Sequence, residues 1–141
     1  MHRIALFSLA MLISPLVVIA DDVVPITPAE AAKKVNEKVV VELEVKSTGG
    51  RENFYLNSEE DFKDVKNFTI FISKDYLEKF NKAGIESPSK HFKGKTIQVT
   101  GTVVLEKQKP WIKVTDPDQI KDVTKEKKRS RMPNEKHRCS T

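Results

Sequence analysis

Few side chains in this 141-residue chain have the type and spacing to make or break bonds. Glu59, Glu60, Asp61 and Asp64 crowd one short stretch, but they lack the glycine and regular alternation of a calcium loop, so a solvated acidic loop is expected. His91 and His137 have no second histidine or cysteine at ligand spacing, and no metal site is assigned. A nuclease would need metal-binding carboxylates together with arginines that neutralise charge on the phosphorus oxygens. Between Arg3 and Arg129 the only arginine is Arg51, in a glycine turn without a paired acid. Nothing marks a serine or cysteine hydrolase, so no catalytic residue and no cofactor is assigned. Asn67, Phe68 and Thr69 match a glycosylation triplet, with Asn67 opening an expected strand.

What remains is aromatic and basic. Lys46, Arg51, Tyr55, Asn57, Phe71, Trp111 and Lys113 are the candidates for ligand contact, because aromatic faces stack bases and ammonium or guanidinium groups hold phosphates. Against them stand Glu42 and Glu44, which share an outward parity and would repel a phosphate backbone, and Phe71 has packing against a helix as its alternative role. For these residues to act together, strands must bring them onto one face.

The clearest strand signal runs from Lys95 to Asp116. Ile97, Val99, Gly101, Val103 and Leu105 alternate with threonines and a glutamine, a half-buried strand in which Gly101 permits a sharp bend or admits a large neighbour. The breakers from Lys107 to Pro110 turn the chain, and Trp111 to Val114 returns as the second arm of a hairpin. Upstream, Lys38 to Ser47 alternates in the same way, Thr48, Gly49 and Gly50 make a turn, and Glu52 to Ser58 and Asn67 to Ile72 are further strands. Thr27, Pro28 and Glu30 form a capping box that opens a helix reaching Val35 or Asn36, expected to cover one end of the sheet. Ser73 caps a second helix from Lys74 to Ala83, stopped by Gly84.

The first 20 residues read as an export signal: His2 and Arg3, apolar runs from Ile4 to Ile13 and Leu16 to Ile19, then Ala20. A retained membrane anchor is the alternative, although Pro15 interrupts a stretch that is short for a span. After cleavage no transmembrane segment is expected, and the location is periplasmic or extracellular. The lone Cys139 excludes an intramolecular disulfide. Twenty-five basic residues face 20 acidic ones, but the excess lies after residue 120, where eight basic residues meet three acidic. The expected organisation is a signal over 1–20, a linker over 21–26, a folded domain over 27–123 and a basic disordered tail over 124–141. Lys125, Lys127, Lys128, Arg129 and Arg131 of that tail are candidates for holding a polyanion by counterion release, with a solubilising extension as the alternative.

Three strands, a helix and two strands, joined mostly as hairpins, predict an all-β fold with short helices: a five-stranded antiparallel OB barrel preceded by a capping helix. The stretch from Thr27 to Val123 resembles small exported bacterial OB-fold proteins. The resemblance is carried by T-P-A-E-A-A-K-K-V, F-Y-L-N-S, H-F-K-G-K-T-I-Q-V-T-G-T-V and P-W-I-K-V-T-D-P. It implies a nucleic-acid-binding-like fold; with no catalytic motif in the residues, the expected function is an exported non-enzymatic binding module for nucleic acid, single strands among them, or another oligomeric or anionic ligand. The alternatives are a protein-interaction or envelope-associated domain and, third, an OB-type nuclease.

Overall fold

The structure is a computed structural model, and it describes residues 23–130. Its fold is mostly β, one seven-stranded sheet with a few short helices. The strands are β1 (Lys38–Glu44), β2 (Ser47–Gly49), β3 (Phe54–Asn57), β4 (Thr69–Ile72), β5 (Thr96–Glu106), β6 (Lys109–Val114) and β7 (Ile120–Asp122). Hydrogen-bonded neighbours run β1-β5-β6-β4-β3-β2, and β7 pairs with β5 beyond the end of β6.

Five strands, all antiparallel, were expected; the observed sheet has seven, and β4 and β6 run parallel. One of the two extra strands, β2, comes from local bending. The expected first strand breaks at Val45 and Lys46, where Val45 exchanges backbone hydrogen bonds with Gly94 and Lys95 while Lys46 donates to Asn57. Thr48 and Gly49, read as turn, continue as β2, and the turn falls at Gly50. The other, β7, arises because Gln119 holds the chain against β5: its Oε1 accepts from the Thr115 and Asp116 amides, and its Nε2 donates to the Thr100 carbonyl at 2.9 Å.

Alternation drives the packing. Val39, Val41, Leu43, Leu56, Ile70, Ile72, Ile97, Val99, Val103, Ile112 and Val114 all point into one core, each 7 % exposed or less. Gly101 belongs to that inner parity, and a β-carbon built on it would overlap Ile112 Cγ2. The large neighbour anticipated from the missing side chain is therefore Ile112. The β5–β6 turn is two residues long, with Lys107 and Gln108 both left-handed at φ +49° and +64°, the twist a tight hairpin requires.

The capping box at Thr27 and Glu30 forms, but helix α1 (Pro28–Ala31) is one turn long instead of reaching Val35. Asn36 turns left-handed at φ +66° and gives its amide to Val103, which ends any continuation. Ile26, in the stretch read as a linker, bridges β1 through hydrogen bonds to Val40 and Glu42. Between β4 and β5, Ser73 caps a 3-10 turn that runs into α2 (Leu77–Lys82). Gly84 follows at φ +81°, and Ile85 folds back to donate to Phe80. A further helix, α3 (Pro88–Phe92), buries Phe92. Residues 124–130, read as the start of a disordered tail, form helix α4 (Thr124–Ser130). The export signal over 1–20 and residues 131–141 of the tail lie outside the described residues. Among the described residues no helix is long and apolar enough to cross a membrane.

Candidate ligand-binding face

Strands β3, β4 and β6 lie side by side, with Tyr55 opposite Phe71 and Phe71 opposite Lys113. Because their inward positions hold Leu56, Ile70, Ile112 and Val114, the alternate side chains Tyr55, Phe71, Trp111 and Lys113 turn outward. The rings form one continuous row. Tyr55 and Phe71 are 5.3 Å apart between centroids at 43°, and Phe71 meets the edge of Trp111 at 5.3 Å and 86°. Tyr55 is 39 % exposed, while Phe71 and Trp111 are half-buried, so each ring offers surface while its neighbour fixes its angle.

Beside the row runs an open groove of about 320 Å³, overhung by the β5–β6 hairpin, whose Lys107, Lys109 and Glu106 line it together with Pro110. At the other end Lys113 and Lys79 approach the ring of Tyr76, at 5.5 Å and 5.9 Å from its centroid. Lys79 also pairs with Asp116 at 3.2 Å. A larger hollow of about 660 Å³ lies elsewhere, between Val23, Val24, Val40 and Lys121, and no aromatic ring lines it.

The other candidates stand apart from this row. Lys46 is held by Glu59 at 2.8 Å, and that hydrogen bond raises the pKa of its ammonium group. Arg51 is exposed in the β2–β3 turn, where Gly50 at φ +96° lets the chain pass so close to Asn53 that a β-carbon would strike its carbonyl. Asn57, read as facing a ligand, is 5 % exposed. Its Oδ1 accepts from Asn67 and Thr69, and its Nδ2 donates to Ser47. It steadies Asn67, which in turn donates to the Phe62 carbonyl and accepts from the Glu59 amide of the loop from Ser58 to Lys66.

Asn67, the glycosylation candidate, is 2 % exposed and commits its amide to Asn57, Phe62 and Thr69, so the folded chain does not present the triplet. Asp61 and Asp64 accept from the Lys63 and Lys66 amides in local turns. Among the described residues no group of three or more histidine, cysteine or acidic side chains is placed to hold a metal ion.

In the tail, Lys127 reaches Glu42 at 2.6 Å, and Glu42 also accepts from Gln98. Those two hydrogen bonds, from Lys127 first and Gln98 second, hold the Glu42 carboxyl below the usual glutamate range. Thr124 donates to and accepts from the Thr96 backbone, which ties α4 to β5. Lys125, Lys128 and Arg129 remain exposed, and Arg131 lies outside the described residues. Sequence reasoning missed Lys107, Lys109 and Tyr76. The two-residue hairpin could have located the lysines, since it requires both to flank or form its tip.

No protein-family model matches the chain, and no curated protein matches it in sequence. Solved structures that resemble it include a putative aspartyl-tRNA synthetase from Leishmania major Friedlin, 13% identical, with TM-score 0.47, over 77% of this chain and 22% of that one. Aspartyl tRNA synthetase from Entamoeba histolytica is 18% identical, with TM-score 0.49, over 68% of this chain and 20% of that one. Asparaginyl-tRNA synthetase from Pyrococcus horikoshii is 14% identical, with TM-score 0.49, over 72% of this chain and 23% of that one. The chain spans about a fifth of the length of these enzymes. Likeness this low carries no activity across to it.

Proposed function

We propose that the chain is a non-enzymatic, exported binding module of the OB type, whose ligand is single-stranded nucleic acid or another oligomeric anion. The observation that carries this reading is the row Tyr55, Phe71 and Trp111 with Lys113 at its end and Lys107 and Lys109 along its groove. Adjacent π-faces flanked by cations suit a flexible strand of bases and phosphates, and need no base-specific hydrogen bonds. The OB assignment is supported by the strand path. Its two ends, β1 and β2, are separated in sequence only by Val45 and Lys46, so taking them as one bent strand closes the path into a barrel. Counted that way the path has five members, with the parallel β4–β6 pair within it and β7 as an addition.

Titrating the protein into fluorescently labelled oligodeoxythymidylate at two salt concentrations tests the reading. Trp111→Ala should cost on the order of 1–3 kcal/mol of binding, the worth of one stacked base. Absence of saturable binding at low salt would eliminate nucleic acid.

A second reading, a protein-interaction domain, is favoured by Val65 and Leu105, exposed at 94% and 49% beside Pro110 on the flank of the same hairpin. Under that reading Leu105→Ser would abolish a partner's binding, and Trp111→Ala would leave oligonucleotide titrations unchanged.

A further inference from the structure

Phe62 is the one aromatic residue in the loop from Ser58 to Lys66, and its ring is 58 % exposed. Its backbone, by contrast, is pinned. The Phe62 carbonyl accepts from the buried Asn67 amide at 3.3 Å and from Lys109 Nζ at 2.8 Å, so the loop cannot swing away without breaking a bond to β6. The Lys109 ammonium also lies 5.5 Å from the centre of the Phe62 ring, and Lys63 lies 5.8 Å from it. The ring thus stays on the surface of an anchored loop with most of one side open to solvent. Two cations nearby are what a stacked base with flanking phosphates would meet.

Lys109 joins this ring to the groove, because it lines the groove beside Trp111 while bonding the Phe62 carbonyl. We propose that Phe62 and Lys109 form a second subsite for the same ligand, so that a single strand continues past Trp111, crosses the hairpin tip at Lys109 and stacks a further base on Phe62. This inference rests on the proposed function. It deepens that function by making the ligand an extended strand instead of a mononucleotide or short end.

The experiment compares a two-nucleotide and a ten-nucleotide oligodeoxythymidylate on the wild-type protein, Phe62→Ala, Phe62→Tyr, Lys109→Gln and Trp111→Ala, with thermal melting of each as the folding control. Phe62→Ala should weaken the ten-nucleotide strand about five-fold to a hundred-fold and leave the dinucleotide unaffected, while Phe62→Tyr, which keeps the π-face, retains tight binding. Lys109→Gln should weaken the longer strand and reduce its salt slope by about 0.7, one phosphate contact. Trp111→Ala should weaken both lengths. Equal binding of the ten-nucleotide strand by wild type and Phe62→Ala, with Trp111→Ala impaired, overturns the second subsite and leaves the proposed function in place. Failure of the wild type to bind either length overturns both.

Discussion

Replacing Gly101 by alanine tests whether the core is built around a missing side chain. The new methyl would overlap Ile112 Cγ2, and Ile112 is fully buried, opposite Val103 on one side and Ile70 on the other. Because Ile112 is fully buried in the core, the strain is expected to spread into rotamers or backbone, at about 1–3 kcal/mol for an overpacked core. The loss of unfolded-state freedom returns about 0.4–1 kcal/mol. The midpoints of these ranges leave a net cost of about 1.3 kcal/mol, or roughly 5–10 °C in melting temperature for a domain of this size. Urea unfolding followed by the fluorescence of Trp111, the only tryptophan, and by circular dichroism measures it. Ile112→Leu moves the branch outward and removes Cγ2, so it should cost less in the Gly101→Ala background than in the wild type, with a coupling above about 0.5 kcal/mol. A Gly101→Ala protein as stable as wild type, or strict additivity of the two changes, refutes the account.

Other parts of the fold yield separate expectations. Gln119→Ala removes the acceptor for two amides and the donor to Thr100, and should lower stability by about 1–3 kcal/mol; an unchanged urea midpoint would deny it the role of holding β7. Changing Lys107-Gln108 to Asn-Gly suits the two left-handed positions and should raise stability by about 1–2 kcal/mol, read as a higher melting temperature. Glu42→Gln should cost less than about 1 kcal/mol at neutral pH, because the pair with Lys127 is partly exposed. Its pH dependence carries the sign. The folded carboxyl titrates below its unfolded value, so its contribution is complete above the ordinary glutamate pKa of about 4.3 and fades as pH falls through the lower folded value. The wild type should therefore lose its advantage over Glu42→Gln in acid; an advantage that persists at pH 2 would place its origin elsewhere.

The β positions were legible wherever one face is buried, because period-two alternation encodes which side chains meet the core. Gly101, Gly84 and the Thr27 capping box were legible for a related reason, as each is a local requirement that few residue types meet. The breaks were not. Val45 and Lys46 keep the alternation going, and only tertiary hydrogen bonds to Gly94, Lys95 and Asn57 reveal that the strand bends between two partners. Asn57 failed for a similar reason. Its parity is outward, as expected, but Ser47, Asn67 and Thr69 occupy both ends of its amide, and parity cannot register what neighbouring segments bring to a side chain. Lys46 and Lys127 read as free cations until the fold brought Glu59 and Glu42 to them.

The outward acids illustrate the same limit in a way that bears on binding. Glu42 and Glu44 count against a phosphate ligand when outward residues are taken as one surface, yet a sheet wrapped round a core has several outward surfaces. Both acids stand on β1, which bonds to β5, whereas the ring row spans β3, β4 and β6. Glu42 is further occupied by Lys127 and Gln98. Near-neutrality of the folded part is thus compatible with a locally cationic face, where Lys79, Lys107, Lys109 and Lys113 face Glu106 and Asp116. Such a face offers about four phosphate contacts at most, so its salt slope for a single strand should lie near −2 to −3. A slope clearly steeper than −3, near −5, would require cations beyond it. The exposed Lys125, Lys128 and Arg129 of α4 would then have to join the contact. Replacing those three by glutamine separates the cases: the slope stays near −2 to −3 if the ring face binds alone, and falls by about 2 if the helix takes part.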